Sequence, residues 1–154
     1  MKRILAWLVI VIILASCGSA PKHKAPQDRF SHKQRLTIAT TARSYLGLPY
    51  RYGGRNKNGF DCSGLVNRVY TEALGMKLPR TTGKLFELSY QINSRQAGTG
   101  DLAFFRIKGA RIDHVGIMIN RYEFIHASTS RGVIVSNFKS DYYRKHFAGI
   151  RRLR

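Results

Sequence analysis

The stretch Asp61-Cys62-Ser63-Gly64-Leu65-Val66-Asn67-Arg68-Val69-Tyr70-Thr71-Glu72-Ala73-Leu74-Gly75 decides the fold. Leu65, Val66, Val69 and Ala73 recur at helical spacing and Gly75 is a stop signal, so a helix starts near Asp61 and ends before Gly75. A cysteine stands in its first turn. A helix N-terminus presents unpaired backbone N–H groups and the positive end of the dipole. Both favour a thiolate, so a lowered thiol pKa is expected. The same N–H groups are placed to face an oxyanion when a carbonyl is attacked. A cysteine at this position also suits the role of a small buried apolar residue.

Outward from this helix the pattern is first helical, then β. Ser31 followed by Gln34 has capping-box spacing. It predicts a helix to about Leu46, with Leu36, Ala39, Ala42 and Leu46 as its apolar stripe and Gly47 as its stop. Pro49 to Gly59, rich in Gly and Asn, reads as a loop. A short helix is expected over Thr82 to Tyr90. After Gly98 the period changes: Leu102–Arg106, His114–Ile119, Tyr122–Ala127 and Val133–Asn137 are β-rich runs between turn residues. Helices followed by an antiparallel sheet make an α+β fold.

Five histidines are present, and two of them, His114 and His126, lie in adjoining strands of one hairpin. Side chains alternate across a strand. Two even-numbered positions therefore share a face only if the connection has an odd residue count or a bulge. A three-residue or bulged connection around Asn120-Arg121 is the expectation; it sets His114 as a base beside His126 as its orienting partner. Gly116 is expected to leave room beside the thiol. A pair of structural imidazoles satisfied within the sheet is the plainer alternative.

The start of the chain has a different character. Lys2 and Arg3 precede an apolar run of 12 residues, Ile4 to Ala15. That is short for a spanning helix, which needs about 20 residues, and suits a signal-peptide core. Leu14-Ala15-Ser16-Cys17 resembles a lipobox, in which cleavage precedes the cysteine and its thiol carries lipid. The expected organisation is a signal peptide over 1–16, a lipidated Cys17 with a flexible tether over 17–31, and one domain over 32–154. An acylated Cys17 leaves Cys62 as an unpaired thiol in an exported protein, a liability unless its reactivity is used. Setting Lys2 and Arg3 aside leaves 25 basic against 8 acidic residues, a net charge of +17. That balance favours anionic lipid or wall polymer. Nucleic acid is not expected as a partner, since no binding motif for it is present.

Several segments together resemble the NlpC-type cell-wall endopeptidases. Asp61-Cys62-Ser63-Gly64-Leu65-Val66 is similar to their nucleophile motif and His114-Val115-Gly116-Ile117 to their base motif. Phe124-Ile125-His126-Ala127-Ser128 resembles the segment with their third polar residue, and Leu48-Pro49-Tyr50-Arg51-Tyr52-Gly53-Gly54 their substrate loop. Leu78-Pro79-Arg80-Thr81-Thr82 and Gly100-Asp101-Leu102 also match, in order, from about Arg35 to Gly149. The resemblance implies a minimal papain-like fold and a thiol peptidase of peptidoglycan stem peptides, typically cutting between the γ-carboxyl of D-glutamate and diaminopimelate or lysine. It implies Cys62 as nucleophile, His114 as base and His126 as orienting residue. Tyr50 is implied beside the oxyanion, with Asp61, Ser63 and Arg80 shaping the substrate pocket. Asp61 serves equally well as a helix cap, and Arg80 as the partner of a carboxylate at the core edge. No metal or other cofactor is implied. A monomer held by lipid in the cell envelope is expected, at the outer membrane where there are two, because Gly18 rather than Asp follows Cys17. Two other readings use the same features: a lipid acyltransferase on a related fold, and a non-catalytic wall-binding lipoprotein.

Overall fold

A computed structural model describes residues 29–154. The expected signal peptide, Cys17 and most of the expected tether lie outside the described residues.

Helix α1 spans His32–Arg43 and opens with the expected capping box: Ser31 Oγ accepts from the Gln34 N–H at 3.3 Å, and Gln34 Oε1 from the Ser31 N–H at 2.9 Å. Its buried face differs from the expected stripe. Ile38, Ala42 and, in the turn beyond, Tyr45 are buried, whereas Leu36 and Leu46 are 55% and 40% exposed. The helix ends three residues early, at Arg43, so Leu46 sits in a turn rather than on the helix face.

Two short strands, β1 (Arg55–Asn56) and β2 (Gly59–Phe60), precede helix α2, Cys62–Leu74. Asp61 is the N-cap, its carboxylate accepting from the Gly64 N–H at 2.7 Å, and Gly75 closes the helix in the left-handed region (φ 68°) that glycine adopts without strain. Leu65, Val66, Val69 and Tyr70 are fully buried, each apolar side chain contributing roughly 1.5–3 kcal/mol.

Helix α3 (Thr82–Leu88) gives way at Ser89 to strand β3 (Ser89–Ile92), where a longer helix was expected. The Ser89 hydroxyl donates to the carbonyls of Leu85 and Phe86 at 2.9 and 3.0 Å, taking up the last turn's acceptors. Strands β4 (Leu102–Phe105), β5 (His114–Met118), β6 (Glu123–Ser128) and β7 (Gly132–Asn137) follow, then α4 (Asp141–His146) and β8 (Phe147–Leu153). The antiparallel sheet runs β3-β8-β4-β5-β6-β7. The fold is α+β and papain-like. One face of the sheet packs with α1 and α2 around Leu65, Val66, Val115, Ile117 and Ile125; the other packs with α4 around Phe105, Met118, Phe124 and Tyr143.

The parity argument holds. Ile119 N–H donates to Glu123 O at 2.9 Å, leaving three residues, Asn120 to Tyr122, in the connection. Ser128 faces Gly132 across another three-residue connection. Both odd counts keep even-numbered residues on one face, so His114, His126 and Ser136 line the same side of three adjacent strands.

Candidate active site

Cys62 is placed by the meeting of α2's first turn with the start of β5. Its Sγ lies 3.6 Å from the Thr82 hydroxyl and 3.9 Å from the Asp113 carbonyl oxygen. Cys62, His114, His126 and Tyr50 line one cleft of about 620 Å³. His114 Nε2 is 2.9 Å from His126 Nδ1, the rings standing nearly perpendicular at 88°. With Nε2 so engaged, Nδ1 is the nitrogen left for the thiol. On its far side, His126 Nε2 meets Ser136 Oγ at 3.0 Å and Tyr143 Oη at 3.1 Å.

Gly116 serves a different purpose from the expected one. A Cβ there would stand 2.9 Å from the Ile125 carbonyl and 3.0 Å from His126 Cβ, and closer still to the Phe124 ring. Its missing side chain makes room for β6 and the second imidazole, not for the thiol.

The electrostatics also depart from expectation. Burial pushes the Cys62 thiol above its ordinary pKa, outweighing the Thr82 hydroxyl and the backbone groups of Val115 and Ser63 that favour the thiolate. Burial likewise pushes His114 down to about 4, against the pull of the neighbouring Asp113 charge, and His126 down to about 2. At neutral pH the resting pair is a thiol and a neutral imidazole. The helix terminus favours the thiolate, but desolvation at this depth is larger. Tyr50 is held well protonated, chiefly by burial and then by the charge a Cys62 thiolate would carry.

Asp61, Ser63 and Arg80 form a second cluster, outside the cleft lining. Arg80 reaches the Asp61 carboxylate with both terminal nitrogens, at 2.9 and 2.6 Å, and Ser63 Oγ at 2.8 Å. Asp61 further accepts from the Gly53 N–H at 3.0 Å and from Ser63 Oγ at 3.3 Å. Against burial, the Arg80 guanidinium and the N–H groups of Gly64 and Gly53 hold its carboxyl below the ordinary range. Of the alternatives open for Asp61 and Arg80, the cap and the carboxylate partner are the contacts present.

Four residues beside the site were not singled out from sequence. Thr82 and Asp113 flank Cys62; the Asp113 carboxylate accepts from the backbone N–H groups of Ile107 and Lys108, both at 2.7 Å, closing that loop over the cleft's edge. Ser136 was within reach of the same parity argument that paired the histidines. Tyr143 comes from a helix that the sequence reading did not contain.

Residues 47–152 match the NlpC/P60 family. The chain belongs to the NlpC/P60 family. It is 38% identical over 135 residues to Murein DD-endopeptidase MepS/Murein LD-carboxypeptidase of Escherichia coli (strain K12), covering 84% of this chain and 71% of that one. It is 36% identical over 151 residues to the protein named "Probable endopeptidase NlpC" of the same strain, covering 95% and 96%. Among solved structures it resembles a Staphylococcus aureus Mu50 protein of the NLP/P60 family, similar to lipoprotein, with a TM-score of 0.74 and 33% identity; the match covers 84% of this chain and 44% of that one. As a family member the chain is a cysteine-type peptidase.

Proposed function

We propose that this protein is a peptidoglycan hydrolase in which Cys62 is the nucleophile, His114 the general base and acid, and His126 the residue that orients His114. The observation that carries the reading is the convergence of Cys62, His114, His126 and Tyr50 in one cleft, with His114 Nε2 tied to His126 and Nδ1 left to the thiol. The thiol gives its proton to His114 as sulfur attacks the scissile carbonyl carbon. The resulting oxyanion faces the backbone N–H of Cys62 and the Tyr50 hydroxyl. Collapse breaks the C–N bond, His114 returns the proton to the leaving amine, and a thioester remains. Water, deprotonated by His114, then releases the acid and restores the thiol.

The bond is proposed to be the one between the γ-carboxyl of D-glutamate and diaminopimelate or lysine, on the family resemblance of the motifs. A second reading, the D,D cross-link, is favoured by the name of the E. coli relative at 38% identity. The envelope location is also a proposal: a signal peptide over 1–16, lipid on Cys17, a tether to about residue 31, and a monomeric domain facing the periplasm from the outer membrane. It is supported by the order Lys2-Arg3, apolar run, small residues, cysteine. Incorporation of labelled palmitate, lost in Cys17→Ala, tests the anchor.

Digestion of purified peptidoglycan by the full chain, read by mass spectrometry with Cys62→Ser and His114→Ala alongside, tests the function. New ends at D-glutamate and the diamino acid, lost in both variants, support the first bond. New ends at the cross-link support the second. Wall and free muropeptides left uncut by a protein whose Cys62 reacts with thiol reagents would overturn the substrate and direct the search to lipid acyl groups.

A further inference from the structure

His126 makes three polar contacts with its two ring nitrogens: Nδ1 meets His114, and Nε2 meets both Ser136 Oγ and Tyr143 Oη. Ser136 is half-buried and Tyr143 buried, and both line the cleft. A neutral imidazole carries one N–H and one lone pair, so its contacts constrain each other.

We propose that Ser136 and Tyr143 are positioning residues that accept the Nε2–H of His126 and thereby fix the tautomers of both imidazoles, keeping His114 Nδ1 free as the lone pair that takes the Cys62 proton. This inference rests on the proposed roles of Cys62 and His114. Once His114 has taken the thiol's proton it bears N–H at both nitrogens. Its Nε2–H must then donate to His126 Nδ1, which must hold a lone pair. The single proton of His126 is therefore on Nε2, where only a hydroxyl oxygen stands ready to accept it. Hydroxyls donate or accept, and the family of states on the reaction path requires them to accept. The opposite arrangement, with Nδ1–H of His126 donating to His114, puts a proton on His114 Nδ1 and leaves no base facing the thiol. Burial keeps both rings neutral at ordinary pH, so the choice between tautomers is a real one.

Two hydroxyls on one N–H should make neither indispensable. Ser136 comes from β7 and Tyr143 from α4, so the acceptor is held from two sides of the sheet's outer face. The hydrogens of both hydroxyls are then turned away from His126 Nε2.

The test is imidazole nitrogen NMR on the full chain with labelled histidine, beside steady-state kinetics. The expected wild-type spectrum at neutral pH has the proton on Nε2 of both His114 and His126. A proton on Nδ1 of His126, with Nε2 a bare acceptor, overturns the proposal without any variant being needed. In the Ser136→Ala/Tyr143→Phe double variant the His126 proton should move to Nδ1, and kcat should fall about a hundredfold, the low end of general-base contributions, with KM changed less than about twofold. Each single variant should lose less than about threefold. Ser136→Thr in the Tyr143→Phe background should keep kcat and the Nε2 tautomer. An unchanged tautomer and kcat in a folded double variant contradicts the proposal. The NMR readout needs no substrate, so a wild-type protein that cuts no peptidoglycan but shows the Nε2 tautomers overturns the proposed function and not the tautomer assignment.

Discussion

The first turn of α2 holds two regions that face opposite ways. On one side Cys62 shares a cleft with His114, from which a chain of contacts runs through His126 to Ser136 and Tyr143. Both imidazoles in that line are neutral at ordinary pH, and burial raises the pKa of the Cys62 thiol. On the other side, one residue earlier and one later, Asp61 and Ser63 are joined to Arg80 in a charged, hydrogen-bonded cluster. The comparison separates chemistry from anchorage. On the neutral side the proposed transfer is confined to Cys62 and His114, while His126 keeps its own proton. The charged side is tied together by an ion pair and hydrogen bonds, so it secures the helix start from which Cys62 projects. Neighbours in sequence within one motif thus have different physical duties.

Breaking the neutral side should cost the most activity. His114→Ala should lower hydrolysis about 10²- to 10⁴-fold, while the urea midpoint changes little; a comparable activity with the alanine would mean that the imidazole is not the base. Gly116→Ala strikes the same side through packing. Its Cβ crowds Ile125 and His126, so stability should drop by about 1–3 kcal/mol and kcat by about a hundredfold as His126 is displaced. Wild-type activity in that variant would show that the imidazole spacing has slack.

Breaking the charged side should cost stability and spare activity. Asp61→Ala removes the N-cap, worth about 1 kcal/mol, and strips a half-buried Arg80 of its carboxylate, so a total loss of about 2–3 kcal/mol is expected. The protein that remains folded at low temperature should retain most of its kcat. A kcat collapse without destabilisation would assign Asp61 to substrate after all.

Acid sharpens the contrast. An unfolded histidine takes up its proton near pH 6.5, whereas folded His114 and His126 stay neutral down to about 4 and about 2. The folded state binds fewer protons in that window, so stability falls as pH drops below 6.5. The Asp61 carboxyl is depressed in the fold. Its contribution is complete above the unfolded value near pH 4 and is lost only as pH falls further, through its folded value. Urea midpoints between pH 6.5 and 4.5 should therefore decline on account of the imidazoles, and a His114→Gln/His126→Gln variant should flatten that decline. An identical slope in the double variant would refute the assignment. The smallest effect belongs to Leu36→Ala on the exposed side of α1, within about 0.5 kcal/mol.

Much of the site was legible because its geometry is local or periodic. The helix from Cys62 to Leu74 announces itself by its cap, its apolar spacing and its terminal glycine. The meeting of His114 and His126 follows from strand parity and an odd connection. Other parts depend on tertiary contacts that no local pattern encodes. Strand β8, which the sequence reading did not contain, carries Arg151 and Arg152. In the fold, Arg151 lies 4.0 Å over the Phe86 ring and bonds Ser89, while Arg152 pairs with buried Asp101. Strand β3 was hidden in an expected helix until the Ser89 hydroxyl turned back on it. The stripe of α1 was misread in part: Ala42 is buried as expected, but Ile38 rather than Leu36 is buried beside it. The thiol's pKa was misjudged because a helix terminus is visible in sequence and the depth of burial is not.

The most direct test of the central claim, that the neutral side of α2 does the chemistry through Cys62, is intact-protein mass spectrometry of acid-quenched digestions with muropeptides. The account predicts a transient increase in mass equal to the acyl half of the substrate, mapped to Cys62 and absent with Cys62→Ala, which should also release no product. Undiminished cleavage by Cys62→Ala, or an adduct on any other residue, would contradict it.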